Sequence, residues 1–323
     1  MGAIRLRGAI AAELELDRFL ILAENSVHDD LFRRVVEQLD DAGVTPVALK
    51  GIALLHGVYD DLAARTMNDI DVWIPAEQVA TALDALRPMG FLRNGEKAAR
   101  PDDLQALSHG EIQLLSAEYP RNLIELQRSP FAGWWMLRAA NIDHVRLFSE
   151  TVAAPDGNAR QLSPEDNILH FATHTVITHQ VSLYALRAFV DTRSLSEARL
   201  DWQKLTARAR RWRLAPILWL HLWLTEQTVG LPDGRDAIAA LRPPRWQRWL
   251  IERFVSADDA LTKVELDQGI RRFLFLLTLT DRKRDALNLV LRSVWPETAW
   301  LTARYGAPRR WHHLWQLVRH RRL

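Results

Sequence analysis

The sequence predicts an α+β protein, in which a small mixed-sheet domain precedes an all-helical C-terminal domain. Residues 44–127 alternate short apolar runs, typical of strands, with amphipathic stretches typical of helices. From residue 161 to residue 323, apolar side chains recur at spacings of three and four, which indicates helices almost throughout. We therefore expect two domains, 1–160 and 161–323, with the boundary near the turn residues Pro155-Asp156-Gly157-Asn158.

The first domain begins with helical periodicity. Residues 8–42 predict one or two helices. A first strand follows; it is broken at Lys50-Gly51, and a short helix comes next. The second strand runs from Ile70 to Ile74, and the amphipathic stretch from Glu77 to Leu86 predicts another helix. This order of strands and helices indicates a mixed sheet that carries helices.

A β-hairpin is predicted after a short helix at Pro101 to Leu107. Two apolar runs, Glu111 to Leu115 and Leu123 to Gln127, flank turn residues at 119–122. In the second run, Glu125 lies between two apolar residues, so its side chain faces away from theirs.

The C-terminal half predicts a series of helices. The first begins at Ser163-Pro164-Glu165-Asp166, with the serine as cap, the proline at the first position and acids in the first turn. Most of the 13 tryptophans lie in this half, and the helical spacing of Trp219 and Trp223 favours packing over stacking on a ligand. The predicted helices span about 165–178, 181–197, 201–211, 215–229, 234–241, 245–261, 269–278 and 283–291, and a basic helix follows them.

Composition excludes several classes of protein. The hydrophobic content of 48% and charged content of 25% are those of a globular chain. The absence of cysteine excludes disulfides, thiolate catalysis and cysteine zinc sites. A formal net charge of only +2 does not indicate general nucleic-acid binding. No apolar run reaches the roughly 18–20 residues that span a bilayer, so we expect a cytoplasmic protein with no membrane partner.

Two aspartates mark the entrance of the second strand. Asp69 and Asp71 stand at positions i and i+2, so their side chains project from the same face. Carboxylates this close repel each other unless a cation lies between them. A hard divalent ion such as Mg²⁺ prefers carboxylate oxygens and often accompanies a phosphate-bearing substrate. The alternative interpretation is a solvated Asp-x-Asp pair.

These motifs resemble the DNA polymerase beta-like nucleotidyltransferase superfamily, in which a glycine at a strand-to-helix turn precedes a D-x-D motif on the next strand. The fuller set of Leu49-Lys50-Gly51, Tyr59-Asp60, Arg65 and Asp69-Ile70-Asp71 resembles one bacterial branch, the uncharacterised nucleotidyltransferase family. That family pairs such a domain with a helical C-terminal half. This chain departs from the superfamily at Ile52, where most members have Ser or a second Gly, so backbone N–H groups must supply more of any phosphate contact.

The resemblance implies a metal site made of three carboxylates. Asp69 and Asp71 would hold two Mg²⁺ ions, with Mn²⁺ as a substitute, as two-metal phosphoryl chemistry requires. Glu125 is the best match to the third carboxylate, which would assist the metal beside the acceptor hydroxyl. The alternative for Glu125 is a glutamate on the solvent face of an edge strand.

The resemblance also implies phosphate contacts. Gly51 would let phosphates approach the backbone at a helix start. Lys50 and Arg65 would neutralise the triphosphate or pyrophosphate. Lys50 has an alternative orientation, because neighbouring side chains on a strand alternate and its own would then point away.

Three polar residues of the helical half are the candidate contacts to the acceptor: His170, His174 and Asp191. The two histidines are one helical turn apart, a spacing that can hold zinc, but two ligands are too few and the sequence shows no third. Asp191 lies on an otherwise apolar helix, and its alternative role is a structural pair with an arginine or a histidine such as His174. We expect the acceptor site in a cleft between the two domains, since ligand sites favour such interfaces.

These features predict a Mg²⁺-dependent nucleotidyltransferase. It would move a nucleoside monophosphate from an NTP to a hydroxyl of a peptide, protein or small molecule. One alternative is a toxin-like nucleotidyltransferase acting on tRNA, which the clustered C-terminal arginines favour and the near-zero net charge opposes. The other is a non-catalytic nucleotide-binding or regulatory module. This alternative is disfavoured because the three carboxylates are intact, namely Asp69, Asp71 and Glu125.

Overall fold

The computed structural model describes most of the chain. The described residues are 8–55, 57–59, 61–94, 102–116, 118, 123–155, 157, 159–197 and 200–320. Several features named from the sequence lie outside them, namely Asp60, Pro101, the turn at 119–122, Asp156 and Asn158.

Packing divides the chain into a sheet unit and a helical unit. The sheet unit comprises the described residues within 1–95, 111–128 and 151–162, and the helical unit comprises those within 96–110, 129–150 and 163–323. The helical unit therefore takes two segments that precede residue 160. All the described strands lie in the sheet unit, so the predicted α+β class is confirmed.

The sheet is mixed and has seven strands in the described part of the chain. They are β1 (Val47–Ala48), β2 (Asp69–Trp73), β3 (Phe91–Arg93), β4 (Glu111–Ser116), β5 (Leu123–Gln127), β6 (Val152–Ala153) and β7 (Arg160–Gln161). Their spatial order is β3-β4-β5-β2-β1-β7-β6. β2 runs parallel to β5 and β1 parallel to β7, whereas all other neighbours are antiparallel.

The predicted hairpin is confirmed as the antiparallel pair β4 and β5. The turn near residue 155 is likewise flanked by paired strands, β6 and β7. The sequence did not predict β3, which has three residues and a single buried one, Phe91. A strand this short shows no alternation to detect.

Three helices accompany the sheet: α1 (Gly8–Asp41), α2 (Lys50–Leu55) and α3 (Val79–Leu86). α1 is one continuous helix of 34 residues, where the sequence allowed one or two. The core of the unit joins apolar side chains of these helices to one face of the sheet, which includes Ile70, Val72, Ile124 and Leu126. Because side chains alternate along a strand, the intervening residues of β2 and β5 are left on the opposite face.

The helical unit contains the remaining described helices. They are α4 (Asp102–Leu107), α5 (Trp134–Ala139), α6 (His144–Ser149), α7 (Pro164–Thr173), α8 (Leu186–Glu197), α9 (Trp202–Arg211), α10 (Ala215–Thr228), α11 (Arg235–Ala240), α12 (Arg245–Glu252), α13 (Asp259–Thr262), α14 (Gly269–Thr278), α15 (Lys283–Val294), α16 (Thr298–Tyr305) and α17 (Arg310–His320). α10 is apolar on all sides, as expected of a buried helix, and it packs against α7, α8 and α9. Among the described helices, none combines the length and the apolar character that crossing a membrane would require.

The predicted start of α7 is confirmed, since the Ser163 side chain accepts a hydrogen bond from the backbone N–H of Asp166. Other boundaries differ from the prediction. The helix predicted over 165–178 changes to a π-helical turn at His174–Thr178. The helix predicted over 245–261 is two helices, α12 and α13, with a break between them. α5 and α6, which have six residues each, were not predicted.

Candidate active site

The register of the sheet brings acidic side chains from two strands together. Asp71 of β2 is paired with Glu125 of β5, and Asp69 is paired with Leu123 two residues earlier. All of these residues lie on the face opposite the apolar core, because they alternate with the core residues of their strands. One carboxylate oxygen from each of Asp69, Asp71 and Glu125 lies within 4.8 Å of the others.

Burial makes this group of carboxylates unusual. Asp71 is 1% exposed and Glu125 is 6% exposed, while Asp69 is half-buried. An edge-strand glutamate on the solvent face, the alternative interpretation for Glu125, would be exposed. Buried carboxylates need compensating charge or hydrogen bonds, since removing an ion from water costs several kcal/mol at an order-of-magnitude level.

Lys50 supplies one compensating charge. It is the first residue of α2, two residues after the end of β1, and its Nζ lies 2.6 Å from Oδ1 of Asp71 and 3.9 Å from Oε2 of Glu125. The Lys50 side chain therefore points toward the carboxylates and not away from them, as the alternative orientation had it. The Lys50 backbone has a φ of 50°, in the left-handed region that residues other than glycine rarely adopt.

The charges in this site do not balance. Burial raises the pKa of Asp71 to about 7, because the pull of Lys50 in the opposite direction is outweighed and Asp69 and Glu125 add repulsion. Burial and the nearby Glu111 also raise the pKa of Glu125. Burial opposes the charge on Lys50, yet the carboxylates of Asp71, Glu125 and Asp69 together raise its pKa. One ammonium cannot neutralise three carboxylates, so a further positive charge would lower the electrostatic repulsion in the site.

Two glutamines hold the carboxylates in place, and sequence reasoning missed both roles. Nε2 of Gln127 donates a buried hydrogen bond to Oδ1 of Asp71. Nε2 of Gln113 donates to Oε1 of Glu125 at 2.7 Å. Gln113 stands opposite Glu125 in the β4–β5 register. Its alternation with apolar neighbours was visible in the sequence, but its partner depends on a register that the hairpin turn sets.

Gly51 makes room for two side chains. A Cβ at this position would lie 2.4 Å from Nη1 of Arg65 and 2.5 Å from Sδ of Met67. The missing side chain thus allows the half-buried Arg65 guanidinium to lie against the start of α2. The backbone of Arg65 is itself anchored, since Nδ2 of Asn25 donates to its carbonyl oxygen at 2.6 Å.

The three candidate acceptor residues lie in the helical unit. His170 is on α7, His174 begins the π-helical turn after it, and Asp191 is on α8. His170 is 2% exposed and Asp191 is 1% exposed, whereas His174 is half-buried. The ring centroids of the two histidines are 6.1 Å apart. The structure gives no support for zinc at this histidine pair. Within the described residues, the one group of three or more metal-ligating side chains is Asp69, Asp71 and Glu125, which we call the acid cluster.

Comparison with protein families identifies the chain. A family model described as uncharacterised nucleotidyltransferase matches residues 5–230, which include every residue of the acid cluster. The chain belongs to the uncharacterised nucleotidyltransferase family. It is therefore an enzyme of the nucleotidyltransferase class. Searches of curated proteins and of solved structures found no significant match.

The acid cluster of this nucleotidyltransferase fits a divalent metal. Its three side chains offer only carboxylate oxygens, the donors that Mg²⁺ and Mn²⁺ prefer. The excess of negative charge around Asp71 would be relieved by a bound cation. Nucleotidyltransferase membership also implies a nucleoside triphosphate as substrate.

Proposed function

We propose that this nucleotidyltransferase moves a nucleoside monophosphate from an NTP to a hydroxyl of a peptide, protein or small molecule and releases pyrophosphate. The observation that carries the proposal is the convergence of Asp69, Asp71 and Glu125 within 4.8 Å, with Lys50 reaching into the same group. Such an arrangement is electrostatically costly in a resting protein. It becomes favourable when cations and a triphosphate are present.

The metal in this proposal is Mg²⁺, with two ions bound and Mn²⁺ able to replace them. Asp69 and Asp71 would hold both ions, and Glu125 would hold the one nearer the acceptor. When bound, the metals supply positive charge to the attacking and leaving oxygens of an in-line displacement.

Lys50 and Arg65 are the proposed phosphate contacts. The Lys50 ammonium is already held beside the carboxylates, so a triphosphate bound there would meet it without a large rearrangement. The Arg65 guanidinium lies against Gly51 at the start of α2 and offers a planar fork of donors to phosphate oxygens. Together they would stabilise the pyrophosphate as the bond between the α-phosphorus and its bridging oxygen breaks.

Glu125 is proposed to act on the acceptor side of the site. The acceptor hydroxyl oxygen forms the new bond to the α-phosphorus, and its proton must leave to solvent. The metal that Glu125 would help to hold would favour this deprotonation, because its positive charge stabilises the oxygen that loses the proton. The hydrogen bond from Gln113 fixes the carboxylate in the cluster for this task.

The helical unit is the proposed source of acceptor contacts, so domain 161–323 is assigned to acceptor binding. Of the three candidate residues, His174 has the greatest exposure and is the one whose side chain an acceptor would reach most directly. His170 and Asp191 would act by supporting it. His174→Ala should therefore raise KM for the acceptor more than it lowers nucleotide affinity.

Incubation with labelled NTPs tests the function. Each NTP, labelled at either the α- or the γ-phosphate, is mixed with the enzyme, Mg²⁺ and cell extract, with Asp69→Asn as the inactive control. Label from the α-phosphate alone should appear on an acceptor. Transfer of γ-label would show a kinase instead, and label confined to tRNA would support the toxin-like alternative. No labelling with any NTP, despite tight triphosphate binding, would support the binding module.

A further inference from the structure

A second charged site lies in the helical unit, in a pocket of about 440 Å³ that we call the arginine pocket. Its wall includes the side chains of Arg138 from α5, Arg213 after α9, and Arg282 and Arg284 at the start of α15. Asp285 contributes a carboxylate. The volume falls within the range of small-molecule sites, roughly 300–1,000 Å³. None of these residues belongs to the acid cluster of the sheet unit.

Two of the four arginines are held in place by carboxylates. Nη2 of Arg138 lies 2.8 Å from Oε2 of Glu297, and Nη1 of Arg213 lies 3.1 Å from Oδ1 of Asp285. Side chains fixed in this way lose little further freedom when a ligand binds. These two pairs therefore form a rigid floor for the pocket.

The other two arginines are available. Arg282 and Arg284 are exposed, and no close hydrogen bond or ion pair of their side chains is seen in the described part of the chain, although the neighbouring Asp281 attracts Arg282. Four guanidinium groups and one carboxylate line the pocket, and Glu297 and Asp281 lie beside them, so positive charge remains in excess. A phosphate monoester, which carries a charge of roughly −1.5 to −2 at pH 7, matches that surplus better than a carboxylate does.

The carboxylate of Asp285 favours a ligand that carries a hydrogen-bond donor. Its carboxylate is 4% exposed, and while Oδ1 pairs with Arg213, Oδ2 is buried and has no hydrogen-bond partner in the described structure. A buried acceptor without a partner is costly, so a ligand hydroxyl or amine that reached it would be favoured.

Arg213 supports a role for this pocket in another way. It follows the end of α9 with a φ of 61°, in the left-handed region where glycine is the usual residue. The chain keeps an arginine there despite the strain, and its guanidinium is directed to Asp285. Strained backbone of this kind persists where the surrounding structure requires the side chain.

We propose that the arginine pocket binds a small phosphate monoester that also carries a hydroxyl or amino group, such as a sugar phosphate. Its phosphate contacts Arg282 and Arg284 above the fixed pairs of Arg138 and Arg213, and its hydroxyl donates to Asp285. Arg282, Arg284 and Asp285 lie beyond residue 230, where the family match ends, whereas Arg138 and Arg213 lie within it.

Calorimetry on the full chain tests this proposal with ribose 5-phosphate as the probe and ribose as the uncharged control. A chelator is present throughout, so that binding at the acid cluster through metal is suppressed. The wild type should bind ribose 5-phosphate and not ribose. The double variant Arg282→Ala/Arg284→Ala should bind at least tenfold more weakly. The matched double variant Arg245→Ala/Arg309→Ala, which removes two exposed arginines outside the pocket, should bind like the wild type.

The proposal would be overturned if the wild type did not bind ribose 5-phosphate, or if the Arg282→Ala/Arg284→Ala variant bound it equally well. Loss of binding in Asp69→Asn would also overturn it, because the probe would then lie at the acid cluster. Preference for a short RNA over ribose 5-phosphate would replace it with a nucleic-acid surface. Asp285→Asn adds a second readout, because it should weaken ribose 5-phosphate more than inorganic phosphate. Failure of the proposed nucleotidyl transfer would leave these binding results unaffected.

Discussion

The ammonium of Lys50 lies 2.6 Å from Oδ1 of Asp71, and the lysine reaches that contact from a left-handed backbone with a φ of 50°. This arrangement has two energetic costs, the strained backbone of Lys50 and the burial of its ion pair with Asp71. A lysine in the extended conformation would continue the alternation of β1 and direct its side chain elsewhere. The conformation of this one residue therefore decides whether the acid cluster has a cation of its own.

Substitutions at Lys50 should reveal the backbone strain. Lys50→Ala and Lys50→Gly remove the same ammonium, but only glycine adopts this φ without penalty, so Lys50→Gly should be the more stable by about 1 kcal/mol. Urea denaturation followed by circular dichroism measures the difference. Ala53 in the same helix is the control, because Ala53→Gly should destabilise the protein by about 1 kcal/mol. If Lys50→Gly is the less stable of the two, the left-handed conformation is not a source of strain.

Both aspartate variants should lose activity without losing stability. Asp69→Asn relieves a like-charge contact, so apo stability should be unchanged or slightly raised. Asp71→Asn should likewise not destabilise the apo protein at pH 7, because burial raises the pKa of Asp71 to about 7 and the folded protein therefore favours its neutral form. Each should lower nucleotidyl transfer at least about a hundredfold, or roughly 2.7 kcal/mol. Thermal unfolding and the labelled transfer assay measure the two quantities. Retained activity in a destabilised Asp71→Asn would show that the pair is structural.

Gly51 and Arg65 should behave as one unit in triphosphate binding. A Cβ at Gly51 would displace the Arg65 guanidinium, so Gly51→Ala and Arg65→Ala should each weaken binding about tenfold, and the double variant should be no weaker than either. Calorimetry with a non-hydrolysable triphosphate and Mg²⁺ measures this. Gly57→Ala is the control, since its Cβ would meet its nearest atom at an ordinary 3.4 Å. Additive losses in the double variant would mean that Gly51 acts independently of Arg65.

Stability should fall in acid because of His221. This histidine of α10 is fully buried, and burial lowers its pKa to about 3. The unfolded chain takes up a proton below pH 6.5 while the folded protein does not, so the free energy of unfolding decreases as pH falls from 6.5 toward 3. The loss from this residue should be about 2 kcal/mol at pH 5.

Urea denaturation at several pH values tests the assignment. His221→Gln should have a flatter pH dependence than the wild type between pH 6.5 and 5, whatever its absolute stability. His312→Gln changes an exposed histidine and should retain the wild-type slope. An unchanged slope in His221→Gln would show that other groups cause the acid sensitivity.

The strands around the site were predictable because their signals are local. Asp69 and Asp71 alternate with core residues inside a five-residue strand, and Glu125 alternates in another, so both strands and their polar faces follow from a period of two. β1 is only two residues long, but the turn at Lys50-Gly51 marked its end.

What the sequence did not predict depends on long-range geometry. Gln127 and Gln113 looked like ordinary strand residues, and their hydrogen bonds to Asp71 and Glu125 follow from the order and register of three strands. Gly51 was interpreted as a phosphate contact, which stays a prediction, but the close approach of the Arg65 and Met67 side chains to it was not predicted, because a turn later in the chain brings them back. Contacts between segments that are distant in the sequence leave no periodic signal in it.

We expect the carboxylates of Asp69, Asp71 and Glu125 to bind metal together with a nucleoside triphosphate. Calorimetry with a non-hydrolysable triphosphate tests this expectation without knowledge of the acceptor. The wild type should bind the triphosphate with Mg²⁺ and lose most of that affinity with chelator, and Asp69→Asn should show a comparable loss with Mg²⁺ present. Equal affinity with Mg²⁺ and with chelator, in the wild type and in Asp69→Asn, would contradict it.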